Sequence, residues 1–265
     1  MAGPRLHPVY PTVEHQRAAD AIRDHFAART EVATVLLVGS TARGKASRDS
    51  CLDITVLIMP DDFAARKQSL QNDWTTFYEH EEVFRRLLGV GAYTHVDLEI
   101  GDGEFAPRYH GWTSGPDEFE LEIGNTLVYS VPLWQGGDYL ARLQAQWLPY
   151  YSESLRRERL AMVRRFCLNN LDHIPLFIER ELYFQSFNRL YDAYREFLQA
   201  LFITRRVYPI AYDKWIREQI EGVLGLPELY QELPLLFEIQ HFESKEIAKK
   251  ATLLRRLVED YTGGG

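Results

Sequence analysis

The sequence predicts an α+β chain: a small mixed β-sheet with helices over residues 1–140, followed by an all-α helical bundle over 141–265. Three observations carry this. Three short aliphatic runs, Glu31–Val38, Leu52–Ile58 and Tyr93–Ile100, fall within the first hundred residues, each followed closely by Gly or Pro. Beyond about residue 138 the apolar residues recur at three-to-four spacing instead, the helical period. Between the two patterns, Gly136-Gly137 and Pro149 mark a boundary near 135–150.

Residues 1–11 hold three prolines and read as an irregular arm. Thr12 caps a helix to about Ala28, with Val13, Ala18, Ile22 and Phe26 near one face. Glu31–Val38 is a buried strand ended by Gly39. Gly39–Ser50 is a loop with room for a helical turn at Thr41–Lys45, and Leu52–Ile58 is the next strand, ended by Pro60. Asp61 caps a helix over about Phe63–Leu88, and Tyr93–Ile100 is a third strand. Glycines and prolines break 104–137 into short pieces, with a helix at Asp117–Ile123 and a strand at Leu127–Val131. Helices follow at Asp138–Leu148, Tyr151–Leu171, Pro175–Arg206, Asp213–Val223, Pro227–Phe237 and Ser244–Tyr261. Short connections between them predict antiparallel neighbours. The closing Gly263-Gly264-Gly265 reads as a frayed end.

The totals narrow the function classes. With 46% hydrophobic and 26% charged residues the chain has a globular balance. No apolar run approaches the roughly 20 residues that span a bilayer, and the N-terminus lacks the apolar stretch of a signal peptide. Two unlike cysteines, Cys51 and Cys167, make no disulfide framework, so a reducing cytoplasm is the expected compartment. The net charge of −8 argues against long nucleic acid as a partner; it is compatible with a nucleotide held locally and with a cationic acceptor. Oligomeric state is not legible.

Residues 35–58 concentrate the chemistry. Gly39-Ser40 follows a strand, where successive N–H groups can form an anion nest and the hydroxyl adds a donor. Arg43 and Lys45 bring positive charge to the same loop. Strand alternation sets Cys51, Asp53 and Thr55 on one face, and it sets Asp97 with Glu99 on one face of the later strand. If those two strands are neighbours, Asp53 and Asp97 converge on one divalent ion. Mg²⁺ takes such hard oxygen ligands, usually with substrate phosphates completing its shell.

Together these residues resemble nucleotidyltransferases of the DNA polymerase β superfamily. Their motif reads approximately Gly-Ser-x-Ala-Arg-Gly, about six variable residues, then Ser-Asp-(Ile/Leu)-Asp-(Leu/Ile). Here it is Gly39-Ser40-Thr41-Ala42-Arg43-Gly44, then Ser50-Cys51-Leu52-Asp53-Ile54, with Val96-Asp97-Leu98 as the later acid. The resemblance covers about 70 residues. The helical half resembles, more loosely, the one in small-molecule nucleotidyltransferases such as the aminoglycoside adenylyltransferases. There Phe202–Pro209 and Lys214-Trp215 look like the segment that reaches back to the nucleotide. The resemblance implies a Mg²⁺-dependent enzyme that moves a nucleoside monophosphate, AMP from ATP, to a hydroxyl of a small acceptor. It implies Asp53 and Asp97 as metal ligands, Asp97 or Glu99 as catalytic base, and Gly39, Ser40, Arg43 and Lys214 at the nucleotide. The cleft between the two halves is the expected place for the active site.

The departure from the motif is Cys51, which stands where the first acid of the Asp-x-Asp pair belongs. Glu99 or Asp49 can fill in, one metal can suffice, or the domain binds nucleotide without turning it over, as a pseudoenzyme in a regulatory or toxin–antitoxin pair. The remaining features take bland readings. His95 is structural, the eight histidines show no zinc spacing with cysteine, and Arg156, Arg157, Arg159, Arg164 and Arg165 form a solvated or inter-helix face, with a nucleotide or RNA surface as the minority view.

Overall fold

The computed structural model describes residues 6–108 and 111–263. The start of the proline-rich arm, His110 and the last two glycines lie outside them. The chain is α+β, as predicted. It divides into two compact units: one runs to Ala106 and resumes over Glu122–Pro149, and the other takes Pro107–Leu121 and everything from Tyr150 onward. The chain thus passes between the two units three times, whereas the sequence expectation is one domain boundary at 140/141.

The first unit is built on a sheet of β1 (Val32–Leu37), β2 (Leu52–Ile58), β3 (Val96–Gly101) and β4 (Val131–Gln135) in the order β3-β2-β1-β4. β1 pairs antiparallel with β2 and β4, and β2 pairs parallel with β3, so the sheet is mixed. Helix α1 (Val13–Ala27) opens as the sequence predicts, with the Thr12 hydroxyl accepting from the His15 N–H at 3.4 Å. Its Ile22 and Phe26 join Leu52, Ile54 and Val56 in one core. The expected helix over 63–88 is two, α3 (Pro60–His80) and α4 (Glu82–Leu88), broken where Glu81 adopts an extended backbone. The break swings Phe84 back onto Trp74 and Phe77, with centroids 5.4 and 5.5 Å away, and that aromatic packing compensates for the interrupted helix. Helix α5 (Phe119–Ile123) leads into a π-helical turn, Gly124–Val128, so Leu127 lies there rather than in the last strand. That strand starts later and carries Pro132, which is tolerated because β4 is an edge. Helix α6 (Tyr139–Trp147) packs against β1.

In the second unit α7 (Glu153–Glu179) and α8 (Tyr183–Arg205) pack along each other, a short α9 (Pro227–Glu232) follows, and α10 (Glu246–Thr262) lies against both α7 and α8. Pro175, expected to begin a helix, sits inside α7. A proline in a helix interior costs about 3 kcal/mol. Ile174 and Ile178 flank it and are buried in the core shared with α8. Each such side chain contributes about 1.5–3 kcal/mol on burial, so continuing the helix wins. The turn into α8 is made at Glu181, with a φ of 56°.

The charged residues of Pro107–Leu121 anchor that segment. Arg159 of α7 is 2% exposed and donates to Asp117 at 2.6 Å and to Glu120 at 2.5 Å. The Gln199 amide donates to the same two carboxylates, at 2.9 and 2.8 Å, and the Tyr151 hydroxyl donates to Glu120 at 2.8 Å. Among the described residues no helix is long and apolar enough to cross a membrane.

Candidate functional site

The β1–β2 connection begins with a four-residue helix, α2 (Gly39–Ala42). Gly39 has a φ of +65°, a region that side chains disfavour. A Cβ added there would stand 1.9 Å from Oδ2 of Asp53. Two independent constraints therefore require glycine: the backbone conformation and the closeness of main chain to carboxylate. Val38 N–H donates to the Asp53 carbonyl at 3.0 Å, which holds the loop entrance to the strand that carries the acid. Arg43 folds back over the same turn and donates to the Gly39 carbonyl at 3.2 Å. Ser40 is half-buried and its carbonyl accepts from Lys45 N–H at 2.9 Å, while the Lys45 side chain is exposed.

The other end of the loop is fastened by a residue to which the sequence reading assigns no role. His15 is fully buried in α1; its ring bridges the Thr12 hydroxyl at 2.8 Å and the Ser50 carbonyl at 3.0 Å. Leu52 N–H donates to the His95 carbonyl at 2.9 Å, which starts β2 and β3 together. The parallel register then sets Asp53 opposite Asp97 and Thr55 opposite Glu99. In this way the pairing left conditional in the sequence is made, and the two acids become neighbours.

Cys51 Sγ, an Asp53 carboxylate oxygen and an Asp97 carboxylate oxygen all lie within 4.8 Å of one another. The Cys51 thiol donates to Asp53 Oδ1 at 3.1 Å. Burial, then the hydrogen bond and charge of Asp53, then the charge of Asp97 push this thiol up to about 12, so it is a neutral donor at pH 7. His95, set aside as structural, has Nε2 3.1 Å from Asp97 Oδ1. The signal for it was available in the i, i+2 alternation of 95, 97 and 99. Asp97 keeps 60% of its side chain exposed, so the pair is accessible to a ligand.

Neither acid suggested as a replacement at position 51 belongs to this cluster. Asp49 is turned to the 91–92 bend, accepting from Ala92 N–H at 3.3 Å with Gly91 pressed against it. Glu99 stands two residues further along β3, exposed on the same face. Lys214 belongs to the second unit, where it lines an open groove of about 500 Å³ with Trp215, Arg217 and Tyr230.

The donor set fits a divalent cation. Two carboxylates offer hard oxygens at chelating separation, and the glycine-lined backbone beside Asp53 leaves that side of the site narrow. The third group offers sulfur in place of oxygen.

No family model matches the chain, and no curated protein matches it. Among solved structures it is similar to a nucleotidyltransferase-like protein from Exiguobacterium sibiricum 255-15. The two share 14% identity with a TM-score of 0.44, over 92% of this chain and 74% of the other.

Proposed function

We propose that this protein transfers a nucleoside monophosphate, AMP from ATP, to a hydroxyl of a small acceptor. The observation that carries the reading is the in-register pairing of Asp53 with Asp97 beside a glycine turn that only glycine can make. Asp53 and Asp97 would hold Mg²⁺, which when bound offsets the negative charge of the triphosphate. Gly39, Ser40 and Arg43 bind and orient the phosphates from the loop side. The exposed Asp97, or Glu99 two residues on, accepts the proton of the acceptor hydroxyl. Its oxygen then bonds to the α-phosphorus, the bond to the bridging oxygen breaks, and pyrophosphate leaves with that electron pair. Lys214 is a further proposed nucleotide contact.

The test is Asp97→Ala. It is expected to lower turnover at least about a hundredfold, the scale on which a positioned acid–base group acts, with unchanged circular dichroism. Turnover equal to wild type would sink the assignment. A second reading, a nucleotide-binding pseudoenzyme, is favoured by one observation: the neutral Cys51 thiol occupies the position of an acid and donates to Asp53. Cys51→Asp separates the two. Activity that appears only in this variant makes the natural chain a binder, whereas activity already present in wild type makes it an enzyme.

A further inference from the structure

A groove of about 670 Å³ runs along α7 in the second unit, lined by Trp112, Arg157, Leu160, Arg164, Arg165 and Leu168 among others. Its volume is that of a small-ligand site. Residues 157, 161 and 165 form one i, i+4 row, and 160, 164, 168 and 172 form the next, so both rows share a face of the helix.

The arginine run of this helix is sorted by that geometry. Arg156 and Arg159 are 5% and 2% exposed and are neutralised by Glu153 and by Asp117 with Glu120. Arg157, Arg164 and Arg165 line the groove, and among the described residues none of the three forms an ion pair. Arg164 donates to the Thr262 carbonyl at 2.5 Å, and the Arg165 guanidinium lies 5.0 Å from the Trp112 ring centre. The groove's own acid, Asp172, is engaged by Arg255 at 2.5 Å. In a chain of net charge −8, three arginines without an acid partner on one face form a local excess of positive charge. Trp112 rests on Phe166, with centroids 5.2 Å apart, yet stays 45% exposed. The Arg165 guanidinium also lies 5.8 Å from the Phe166 ring centre, so ring and guanidinium pack together against the indole, and the part of it left exposed is a platform for another flat ring.

We propose that this groove binds a nucleoside phosphate, with the base stacked on Trp112 and the phosphate oxygens held by Arg157, Arg164 and Arg165. Planar guanidinium forks match phosphate oxygens. Leu160, Ala161 and Leu168 supply the apolar floor that a bare inorganic anion would not need. From 157 to 165 the helix advances about 12 Å, enough to meet more than one phosphate. A free nucleotide and a nucleotide within an RNA strand present the same groups. This site shares no residue with the carboxylate pair and does not depend on the transfer reaction.

The test uses the full chain in EDTA at low salt with two probes: a fluorescent ATP analogue, and a labelled oligoadenylate of about ten nucleotides, within the usual site size. Fluorescence anisotropy is read for wild type, Trp112→Ala, Arg157→Ala/Arg165→Ala and, as a charge-matched reference outside the groove, Arg66→Ala, an exposed arginine of α3. At least one probe is expected to bind wild type and Arg66→Ala alike, and to bind each groove variant about tenfold or more weakly, with unchanged melting temperatures. Binding of the oligoadenylate alone assigns the strand, and binding of the ATP analogue assigns the free nucleotide. The proposal is overturned if neither probe binds at millimolar concentration, or if the groove substitutions leave binding unchanged. It is also overturned if inorganic tripolyphosphate displaces the probe as well as ATP does.

Discussion

At the scale of single residues, Cys51 sets the character of the carboxylate site. Its thiol is surrounded by acceptors and negative charge, so the proton that makes it a hydrogen-bond donor also makes it a poor nucleophile. Alkylation by iodoacetamide at pH 7.5 without added metal is therefore expected to be far slower at Cys51 than for an unperturbed thiol. Asp53→Asn removes the charge and leaves only a neutral amide oxygen as acceptor, and is expected to speed it, followed by mass spectrometry of the modified peptide. Alkylation of wild type at the rate of free cysteine would contradict the geometry. Gly39 works by the opposite means, through the absence of a side chain: the Asp53 carboxylate occupies the space a Cβ would need.

Among elements, the pairing of α7 and α8 contains an acid held in the wrong environment for its charge. Glu196 of α8 is 1% exposed, and burial is the main cause that pushes its carboxyl from 4.5 up to about 8. A hydrogen bond from Asn170 of α7, at 2.9 Å, works against this; the charge of nearby Asp192 adds to it, and Arg189 and Arg195 oppose it. A folded-state value above the unfolded one means that the native state binds the proton more tightly. The stabilisation is then complete below about pH 4.5 and is lost as pH rises towards 8. At about 1.4 kcal/mol per pH unit the loss is at most about 5 kcal/mol. Glu196→Gln keeps an acceptor for Asn170 and removes the titration. Urea denaturation is expected to show the variant gaining on wild type between pH 5 and about 8. A constant difference across that range would rule the account out.

For the molecule as a whole, the decisive feature is the excursion of Pro107–Leu121 into the unit otherwise formed by the chain from Tyr150 onward. Its Asp117 and Glu120 are the partners of buried Arg159. Removing one side of a buried pair typically costs about 3–5 kcal/mol, because the remaining charge is stranded. A fragment beginning at residue 150 is thus expected to melt at least about 10 °C below one beginning at residue 107, by scanning calorimetry. Equal melting temperatures would show that the segment is not part of that unit.

Three of the four strands of the sheet were legible because strand signals are local; β4 lies later than its expected place at 127–131. Aliphatic runs ended by glycine or proline identify β1, β2 and β3, and three-to-four spacing identifies α7, α8 and α10. The glycine turn and the acids at 53, 97 and 99 were visible for the same reason, each marked by its immediate neighbours. The sequence alone thus determined that the chain is α+β and which side chains are available to do chemistry. Tertiary structure decided which of them meet. Parallel pairing of β2 with β3 joins residues more than forty apart, and no local pattern specifies that register. Only packing carries α7 through Pro175, sends Phe84 back onto Trp74, and buries Arg156 and Arg159 while leaving Arg157, Arg164 and Arg165 in the groove. Charge and helical period are written residue by residue, whereas burial and partnership are properties of surfaces that exist only once the chain has folded.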